Sequence, residues 1–325
     1  MSEYYIGVDL GGTYTKTGIL RIADGSMDVY GFTEAPTPTD NRDVLIDSIV
    51  EAVRKMLDEH DLPPSACRGL GIGAPGPLNR ARGVILHLPN IPGMADLPLR
   101  DRIGDALGIP SVLENDANAA AMGEYLFGAG RDVQSMIMLT LGTGVGGGII
   151  VDGQIIHGAH DIAGEVGHII VQPGGRLCNC GQHGCLEQYA SATFLAKHAA
   201  NEVRTGRKSL LSKVLKEKGS IDAVDVNDAR KAGDALAAEA WDTAVYHLAI
   251  GCVTLERMLD CELIVLAGGL VNAGADLLDP LQAYYRELDW KLSEQMSPLA
   301  IATLGSRAGV HGAAGVAWQA FTSEV

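Results

Sequence analysis

Four soft metal ligands lie close together near the middle of the chain. Cys178, Cys180 and Cys185 occur within eight residues, and His168 precedes the first of them by ten positions. Three thiolates and one imidazole form a ligand set that suits tetrahedral Zn²⁺. Glycines between the cysteines allow the backbone to fold tightly enough for the three sulfurs to converge. The residue types and their spacing therefore predict a zinc site.

The same residues allow other interpretations. Three close cysteines could form one disulfide and leave one free thiol, and His168 could be a core histidine with no ligand role. His183 is a rival ligand, although its position between glycines would force the ring to turn back onto the loop. Thiols at short spacing in a protein without secretory features usually bind metal or carry out redox chemistry. We therefore expect zinc, with His168 as the fourth ligand.

Two carboxylates flank the cluster of cysteines. Glu165 lies three residues before His168, and Glu187 lies two residues after Cys185. A purely structural zinc knuckle has no need of acids at these positions. A metal that orders a substrate-binding loop does need them, because two glutamates and a histidine would then face one polyol. The pattern thus predicts that Glu165, His168 and Glu187 face a polyol substrate.

The whole pattern over residues 165–187 is E-x-G-H followed by C-x-C-G-x-x-G-C-x-E, and it resembles the signature of the ROK family. That family comprises bacterial sugar kinases and sugar-responsive repressors. The resemblance implies that His168 ligates zinc with one ring nitrogen and faces the sugar with the other. It also implies that Glu165 and Glu187 hydrogen-bond sugar hydroxyls.

The elements that would position such a site begin with two apolar strands at 4–10 and 15–22. Asp9, at the end of the first strand, is a natural partner for Mg²⁺. The turn between the strands could present backbone N–H groups and a hydroxyl to an anion; its residues are Gly11, Gly12 and Thr13. Because a strand follows and not a helix, the turn is neither a P-loop nor a dinucleotide fingerprint. A plain hairpin turn is the alternative.

The D-x-G-G-T turn resembles the first phosphate motif of the actin–hexokinase superfamily. Many ROK members carry a lysine directly after the threonine, whereas this chain has Tyr14 there and Lys16 two residues later. We assign Lys16 no role.

The order of strand, turn and strand recurs at 135–151. The second turn contains Gly142, Thr143 and Gly144. The repeat predicts two similar domains that clamp one polyphosphate, and it matches the duplicated core of the superfamily. The resemblance implies that Thr143 faces the phosphate tail.

A further candidate region joins a short strand at 111–113 to an alanine-rich helix at 117–127. Asp116 at this junction is either the N-cap of the helix or a carboxylate held ready for chemistry. The run E-N-D-A-N-A-A-A at 114–121 is similar to the catalytic segment of the family. The resemblance implies that Asp116 accepts the proton of the sugar's primary hydroxyl and that Asn115 helps to hold the ring.

Two other contacts follow from the resemblance alone. The Leu-Pro-Asn run at 88–90 is similar to the sugar loop of the family, which implies a hydroxyl contact for Asn90. Family glucokinases often place a tryptophan a few residues later, where this chain has Met94. After a predicted strand at 263–267, Gly268 and Gly269 stand where the family packs adenosine against glycine backbone.

The rest of the chain predicts helices, with apolar periodicity at 41–60, 188–204, 225–260, 277–293 and 307–321. The third should break near Gly233 and Gly251, and the resemblance assigns the last to the first domain. The net charge of −15 argues against nucleic acid and anionic membranes as partners. No apolar run reaches the length of a membrane span, and the N-terminus lacks a signal-peptide pattern. We expect a soluble cytoplasmic protein.

We therefore expect an α/β fold of two domains, with the mixed sheets and duplicated phosphate-binding hairpin of the actin-like ATPase (ribonuclease H-like) class and an interdomain cleft. The first domain would comprise residues 1–117 and 305–325, and the second, which carries the zinc-binding sugar loop, residues 118–304. The resemblance also implies a homodimer.

The predicted activity is phosphorylation of a hexose by ATP and Mg²⁺, with glucose converted to glucose 6-phosphate and with structural Zn²⁺. Other substrates within the family are N-acetylmannosamine, N-acetylglucosamine, fructose and allose, and polyphosphate is another donor. A sugar-responsive repressor is disfavoured, because the first phosphate motif begins at Asp9 and leaves no room ahead of it for a helix-turn-helix.

Overall fold

The computed structural model describes residues 2–23, 26–39, 41–87, 95–290 and 295–322. Asn90 and Met94 lie outside the described residues, so the contacts predicted for them stay predictions.

The strands of the described residues are β1 (Glu3–Leu10), β2 (Tyr14–Ala23), β3 (Ser26–Pro36), β4 (Cys67–Ala74), β5 (Leu78–Asn79), β6 (Val84–Ile85), β7 (Ser111–Asn115), β8 (Met136–Leu141), β9 (Val145–Val151), β10 (Gln154–Ile155), β11 (Leu263–Ala267) and β12 (Leu299–Ile301). The α-helices are α1 (Arg42–Glu59), α2 (Leu99–Leu107), α3 (Asp116–Phe127), α4 (Glu187–Ala190), α5 (Ala192–Arg204), α6 (Leu211–Lys218), α7 (Ala223–Lys231), α8 (Ala235–Leu259), α9 (Ala275–Leu288) and α10 (Ala308–Thr322). None of these helices is both long and apolar enough to cross a bilayer.

Both large sheets contain parallel and antiparallel pairs, as the predicted fold class requires. The first has the order β3-β2-β1-β4-β7, in which β1 pairs with β2 antiparallel and with β4 parallel. The second has the order β10-β9-β8-β11-β12, in which β11 pairs parallel with β8 and β12. The predicted repeat of strand, glycine-threonine turn and strand is confirmed at β1–β2 and at β8–β9.

Contacts divide the chain into two compact units. The first comprises Met1–Val133, Gly148–Gly164 and Thr303–Val325, and the second Gln134–Gly147 and Glu165–Ala302. The predicted domain boundary at 117/118 would detach α3 from the first unit, but α3 belongs wholly to it because it packs against α10. A Cβ at Gly312 of α10 would overlap with the carbonyl oxygen of Ala119 in α3. The predicted boundaries differ from these units and stay a prediction.

Helix α10 also packs directly on the first sheet. Side chains at Gly7 of β1 and Gly71 of β4 would overlap with carbonyl oxygens of the helix. Glycine at these two positions therefore lets the helix backbone approach the strands closely. The last helix therefore lies in the first unit.

Helix α1 packs on the face of the first sheet opposite to α10. Its Leu45, Ile49 and Val53 are fully buried, as the four-residue spacing predicts. The side chain of Asn41 caps its first turn by accepting hydrogen bonds from two backbone N–H groups, and the helix ends before His60. The predicted helix at 41–60 is confirmed.

The predicted break near Gly251 is wrong, because α8 continues without interruption from Ala235 to Leu259. Glycine stands at 251 for a packing reason: a Cβ there would lie 2.8 Å from a methyl carbon of Leu186. The break near Gly233 is confirmed between α7 and α8. The predicted helix at 188–204 divides at Ser191, whose hydroxyl accepts a hydrogen bond from Phe194 N–H and so starts α5.

Candidate active site

Asn115 and Asp116 lie at the junction of β7 and α3. The Oδ1 atom of Asn115 accepts hydrogen bonds from the backbone N–H groups of Ala117 (2.9 Å) and Asn118 (3.2 Å). Asn115 is therefore the N-cap, and Asp116 is the first helical residue. The interpretation of Asp116 as the N-cap is wrong, because asparagine at the preceding position already satisfies the free N–H groups. The cap uses only the Oδ1 atom of Asn115, whose side chain also hydrogen-bonds Asp116.

Burial raises the pKa of the Asp116 carboxyl above its ordinary value of 3.8, against the opposing effect of hydrogen bonds from two backbone N–H groups and from Asn115. Its Oδ1 accepts a 2.8 Å hydrogen bond from Ala117 N–H. A carboxylate whose pKa is raised is a stronger base than an ordinary aspartate. The junction therefore holds an oriented base in the first turn of a helix.

Asp9 ends β1 in the same unit and interacts electrostatically with Asp116. The pKa of Asp9 is raised above its ordinary value of 3.8, mainly by burial and further by the charge of Asp116. The charge of Lys16 opposes this shift. Lys16 Nζ lies 3.6 Å from Asp9 Oδ2. A Cβ at Gly309, near the start of α10, would lie 2.6 Å from Asp9 Cγ. We assigned Lys16 no role from the sequence. In the structure, it forms an ion pair with Asp9.

The first predicted phosphate hairpin is held in place by a threonine that directly follows β3. Thr37 donates its hydroxyl to the carbonyl of Gly11 (2.7 Å), and its N–H donates to the carbonyl of Thr13 (2.9 Å). Its hydroxyl also lies 3.0 Å from the hydroxyl of buried Thr15. Gly12 and Thr13 themselves are exposed. The turn therefore has its carbonyls fixed and its outer residues free for an anion.

The second phosphate hairpin closes with a hydrogen bond from Gly142 N–H to the carbonyl of Gly144 (3.0 Å). Thr143 at its tip is exposed. Glu187 Oε2 accepts a hydrogen bond from Val145 N–H (3.1 Å) directly after the turn. A Cβ at Gly144 would overlap with that same oxygen. Within the second unit, a predicted sugar ligand therefore contacts a predicted phosphate turn.

Four side chains form a compact group of ligands in the second unit. The ligand atoms of His168, Cys178, Cys180 and Cys185 all lie within 4.8 Å of one another. Cys180 Sγ and Cys185 Sγ are 3.7 Å apart, and Cys178 Sγ lies 3.7 Å from His168 Nδ1. Tetrahedral bonds of about 2.3 Å to sulfur place the sulfurs roughly 3.8 Å apart. The four residues fit a tetrahedral metal ion, with Nδ1 as the imidazole ligand.

Two of the competing interpretations do not fit the structure of this loop. All the cysteines are free, and a separation of 3.7 Å between sulfurs far exceeds a disulfide bond of about 2.05 Å. His183 is not a ligand, because its Nδ1 lies 2.9 Å from the carbonyl oxygen of Gly175 and its ring is outside the group.

Arg176 fastens the ligand-bearing loop to α4. Its Nη1 donates to the carbonyl of Gln188 (2.8 Å), its backbone N–H donates to the hydroxyl of Tyr189 (3.0 Å), and its guanidinium lies 4.6 Å from the centre of the Tyr189 ring. Because α4 begins at Glu187, these contacts fix the loop relative to that carboxylate. Glu165, by contrast, is exposed.

Two cavities of the second unit border the second hairpin and the predicted adenosine position. One, of about 480 Å³, is lined by Gly142, Thr143 and residues of α5, among them Lys197. The other, of about 550 Å³, is lined by Gly269, Asn272 and residues of α7, and Ala192 and Asp222 line both. Gly268 has a φ of +89° and packs on the backbone of Leu141. The cavities are of a size and polarity that suit a nucleotide.

The predicted residues thus form two groups, each within one unit. Asp9, Gly11, Gly12, Thr13, Asn115 and Asp116 belong to the first unit. The second unit contains Gly142, Thr143, Gly144, Glu165, His168, the three cysteines, Glu187, Gly268 and Gly269. Sequence reasoning missed Thr37, Lys16 and Arg176, which contact these residues but belong to no motif.

The model of the ROK family matches residues 5–320 of the chain. A glucokinase of Halalkalibacterium halodurans is 40% identical over 312 residues, which cover 95% of this chain and 93% of that protein. Among solved structures, a ROK hexokinase from Thermus thermophilus is 33% identical with a TM-score of 0.86, over 98% of this chain and 99% of that one. A ROK family glucokinase from Streptomyces griseus, solved with glucose and AMPPNP, is 33% identical with a TM-score of 0.77, over 97% and 99% of the two chains.

Proposed function

The chain belongs to the ROK family, and we propose that it transfers the γ-phosphoryl group of ATP to the 6-hydroxyl of glucose. Its likeness to a structure that contains glucose and AMPPNP supports this function. The single observation that carries the mechanism is the half-buried carboxylate of Asp116, which is oriented in the first turn of α3 directly after the N-cap Asn115.

In this proposal, ATP is the phosphoryl donor and is bound by glycine backbone and polar side chains. Phosphoryl transfer needs mainly positioning and charge stabilisation from the protein. The Gly12–Thr13 and Thr143 turns offer exposed N–H groups and hydroxyls to the phosphates. The 550 Å³ cavity beside Gly269 accommodates the adenosine. Lys16 supplies a fixed positive charge next to Asp9.

The charges around Asp9 fit a divalent cation. Burial, and to a smaller extent the charge of Asp116, raise the pKa of the half-buried Asp9 carboxylate, and one monovalent lysine compensates only part of this effect. Asp9 would hold Mg²⁺ directly or through water, and the cation would neutralise charge on the transferred phosphoryl group.

The proposed sugar ligands are described within each unit by itself. Asn115 donates through Nδ2, since its Oδ1 is occupied by the cap. Glu165 and Glu187 accept from ring hydroxyls, and His168 Nε2 faces the sugar because Nδ1 faces the cysteines. Asn90, outside the described residues, remains a proposed hydroxyl contact by family resemblance.

Asp116 acts as the general base. Its carboxylate accepts the proton of the 6-hydroxyl as that oxygen attacks the γ-phosphorus. The bond between the γ-phosphorus and the β–γ bridging oxygen breaks, and ADP leaves with the electron pair. The raised pKa of Asp116 brings it closer to that of its proton donor than an ordinary aspartate would be.

We further propose that the ligand group of the second unit holds Zn²⁺ in a structural role. Three thiolates and one imidazole complete a tetrahedral shell and leave no position for a metal-bound water. His168, Cys178, Cys180 and Cys185 would hold the ion, which orders the loop between Glu165 and Glu187. The free thiols also suit a cytoplasmic location, and family resemblance supports a homodimer, which light scattering would test.

A coupled-enzyme panel tests the choice of substrate. Purified protein is assayed with ATP or polyphosphate against glucose, fructose, allose, N-acetylmannosamine and N-acetylglucosamine. We expect the highest kcat/KM for glucose with ATP. A higher value for another sugar or for polyphosphate would replace that substrate in the proposal, and no turnover of any sugar would refute the kinase.

A further inference from the structure

A fully buried carboxylate, Glu114, lies directly before Asn115 and Asp116 and has partners on both of its oxygens. Its Oε1 accepts hydrogen bonds from the backbone N–H of Asn115 (2.9 Å) and from Asn118 Nδ2 (3.0 Å). Its Oε2 lies 2.8 Å from His157 Nε2 and 3.1 Å from Arg80 Nε. The motif at 114–121 contains this residue, but no step of the proposed reaction uses it.

The partners come from parts of the chain that are distant in sequence. Arg80 follows β5, and His157 follows β10. A second carboxylate, Asp161, accepts from Arg80 N–H (3.2 Å), and its Oδ1 lies 3.6 Å from Arg80 Nη1. All belong to the first unit. Glu114, Arg80, Asn118, His157 and Asp161 will be called the Glu114 cluster.

Glu114 is ionised in this environment. Burial alone would raise its pKa, but the hydrogen bond from His157 and the charge of Arg80 outweigh burial and lower the pKa below its usual value. A buried charge with this many partners has one well-defined position, because moving either oxygen leaves a donor unpaired.

Glu114 Oε1 holds both ends of the turn that contains Asp116. It binds the N–H of Asn115 on one side and the side chain of Asn118 on the other. Asn115 Oδ1 closes the same turn by accepting from Asn118 N–H. A displacement of Oε1 would therefore displace the two residues that bind the sugar and accept its proton.

We propose that Glu114 is a positioning residue for phosphoryl transfer, and that His157 and Arg80 hold its carboxylate at the strand end that carries Asn115 and Asp116. This proposal deepens the function proposed above and rests on it. The Glu114 cluster then acts mainly on the chemical step, because Asn115 is one of several proposed sugar ligands whereas Asp116 is the proposed base.

The test compares Glu114→Gln with the wild type by steady-state kinetics and thermal unfolding. Glutamine keeps the size of the side chain, but its amide nitrogen must face either the donors of Arg80 and His157 or the N–H of Asn115. A misplacement of the reacting groups by about 1 Å can cost about 100-fold in rate. We expect kcat to fall about 10- to 100-fold, with the glucose KM within about threefold of wild type.

Three further variants distinguish a loss of positioning from a loss of folding. His157→Leu, at a partly exposed position, should lower kcat in the same direction by a smaller factor, and His157→Gln, which retains a donor to Glu114, should restore it. Val53→Ala, in the core under α1 of the same unit, is a control that lowers the melting temperature without changing kcat.

The outcomes separate this proposal from the proposed function. An active wild type with Glu114→Gln retaining kcat within about threefold, whatever its melting temperature, would show a merely structural role and overturn the positioning. The same holds if His157→Gln is as slow as His157→Leu. A wild type that phosphorylates no hexose would overturn the proposed function, and this proposal with it.

Discussion

Replacement of Asp116 by asparagine separates its chemical role from its structural role. The N-cap of α3 is Asn115, so the substitution leaves the cap intact. Asparagine keeps the size of the side chain and can still hydrogen-bond a hydroxyl, but it cannot accept a proton. General-base catalysis contributes about 10²- to 10⁴-fold, which corresponds to roughly 2.7–5.4 kcal/mol of barrier at about 1.36 kcal/mol per decade. We expect kcat to fall by that factor while the glucose Kd stays near wild type.

The same variant should not lose stability at neutral pH. The pKa of Asp116 is raised by burial in the folded protein, so ionisation of this group destabilises the folded state above that pKa. Asparagine removes that cost, and the melting temperature should stay the same or rise. As the pH falls below the folded pKa, Asp116 protonates and this cost declines, and the gain of the variant should vanish below the ordinary value of 3.8.

The assay is a measurement of kcat, glucose Kd and melting temperature on one preparation, with Asn115→Asp as the matched control. Aspartate caps a helix as well as asparagine, so the control should fold, but it loses the Nδ2 donor and should weaken glucose binding. A kcat of Asp116→Asn within a few-fold of wild type would refute the assignment of the base.

Three other substitutions have distinct expected results. Gly144→Ala should raise the glucose KM by about 10- to 100-fold, because the new Cβ displaces the Glu187 carboxylate and a charge-assisted hydrogen bond is lost; an unchanged KM would count against Glu187 as a sugar ligand. Gly309→Ala should raise the Mg²⁺ concentration needed for half-maximal rate, because its Cβ would crowd Asp9, while glucose Kd measured without nucleotide should not change. Cys178→Ser should lose zinc by elemental analysis and weaken sugar binding while calorimetry still detects nucleotide; full zinc content or full sugar affinity would contradict the proposed metal site.

The motifs were predictable because their signals are local. The cysteines and His168 occur within 18 residues, and each predicted phosphate turn lies between two apolar strands. These short separations in sequence were enough to predict that the residues of each motif lie close together. Helix α1 was equally predictable, since its buried residues recur every fourth position and Asn41 is a residue that caps well.

The identity of the cap on α3 could not be predicted from the sequence. The sequence analysis considered only Asp116 as the cap, but asparagine and aspartate cap helices about equally well, so residue type does not distinguish Asp116 from Asn115 before it. Gly251 shows a similar limit. A glycine inside a helical pattern weakens the helix by about 1 kcal/mol relative to alanine, but here contact with Leu186 requires a small residue.

The Glu114 cluster was also beyond the sequence, because its partners are not local. Arg80 and His157 reach Glu114 only through the pairing of β4 with β7 and the return of the chain at β10. Glu114 alone resembles any polar residue before a helix. Its burial, which makes its hydrogen bonds important, is visible only in the folded chain.

The most direct test of the kinase is identification of its products. Wild-type protein is incubated with glucose, ATP and Mg²⁺, and the reaction is followed by ³¹P NMR. The proposed function predicts that ADP and glucose 6-phosphate accumulate in equal amounts, and that Asp116→Asn produces both far more slowly. Formation of ADP and inorganic phosphate without a sugar phosphate, or phosphorylation at another hydroxyl, would contradict it.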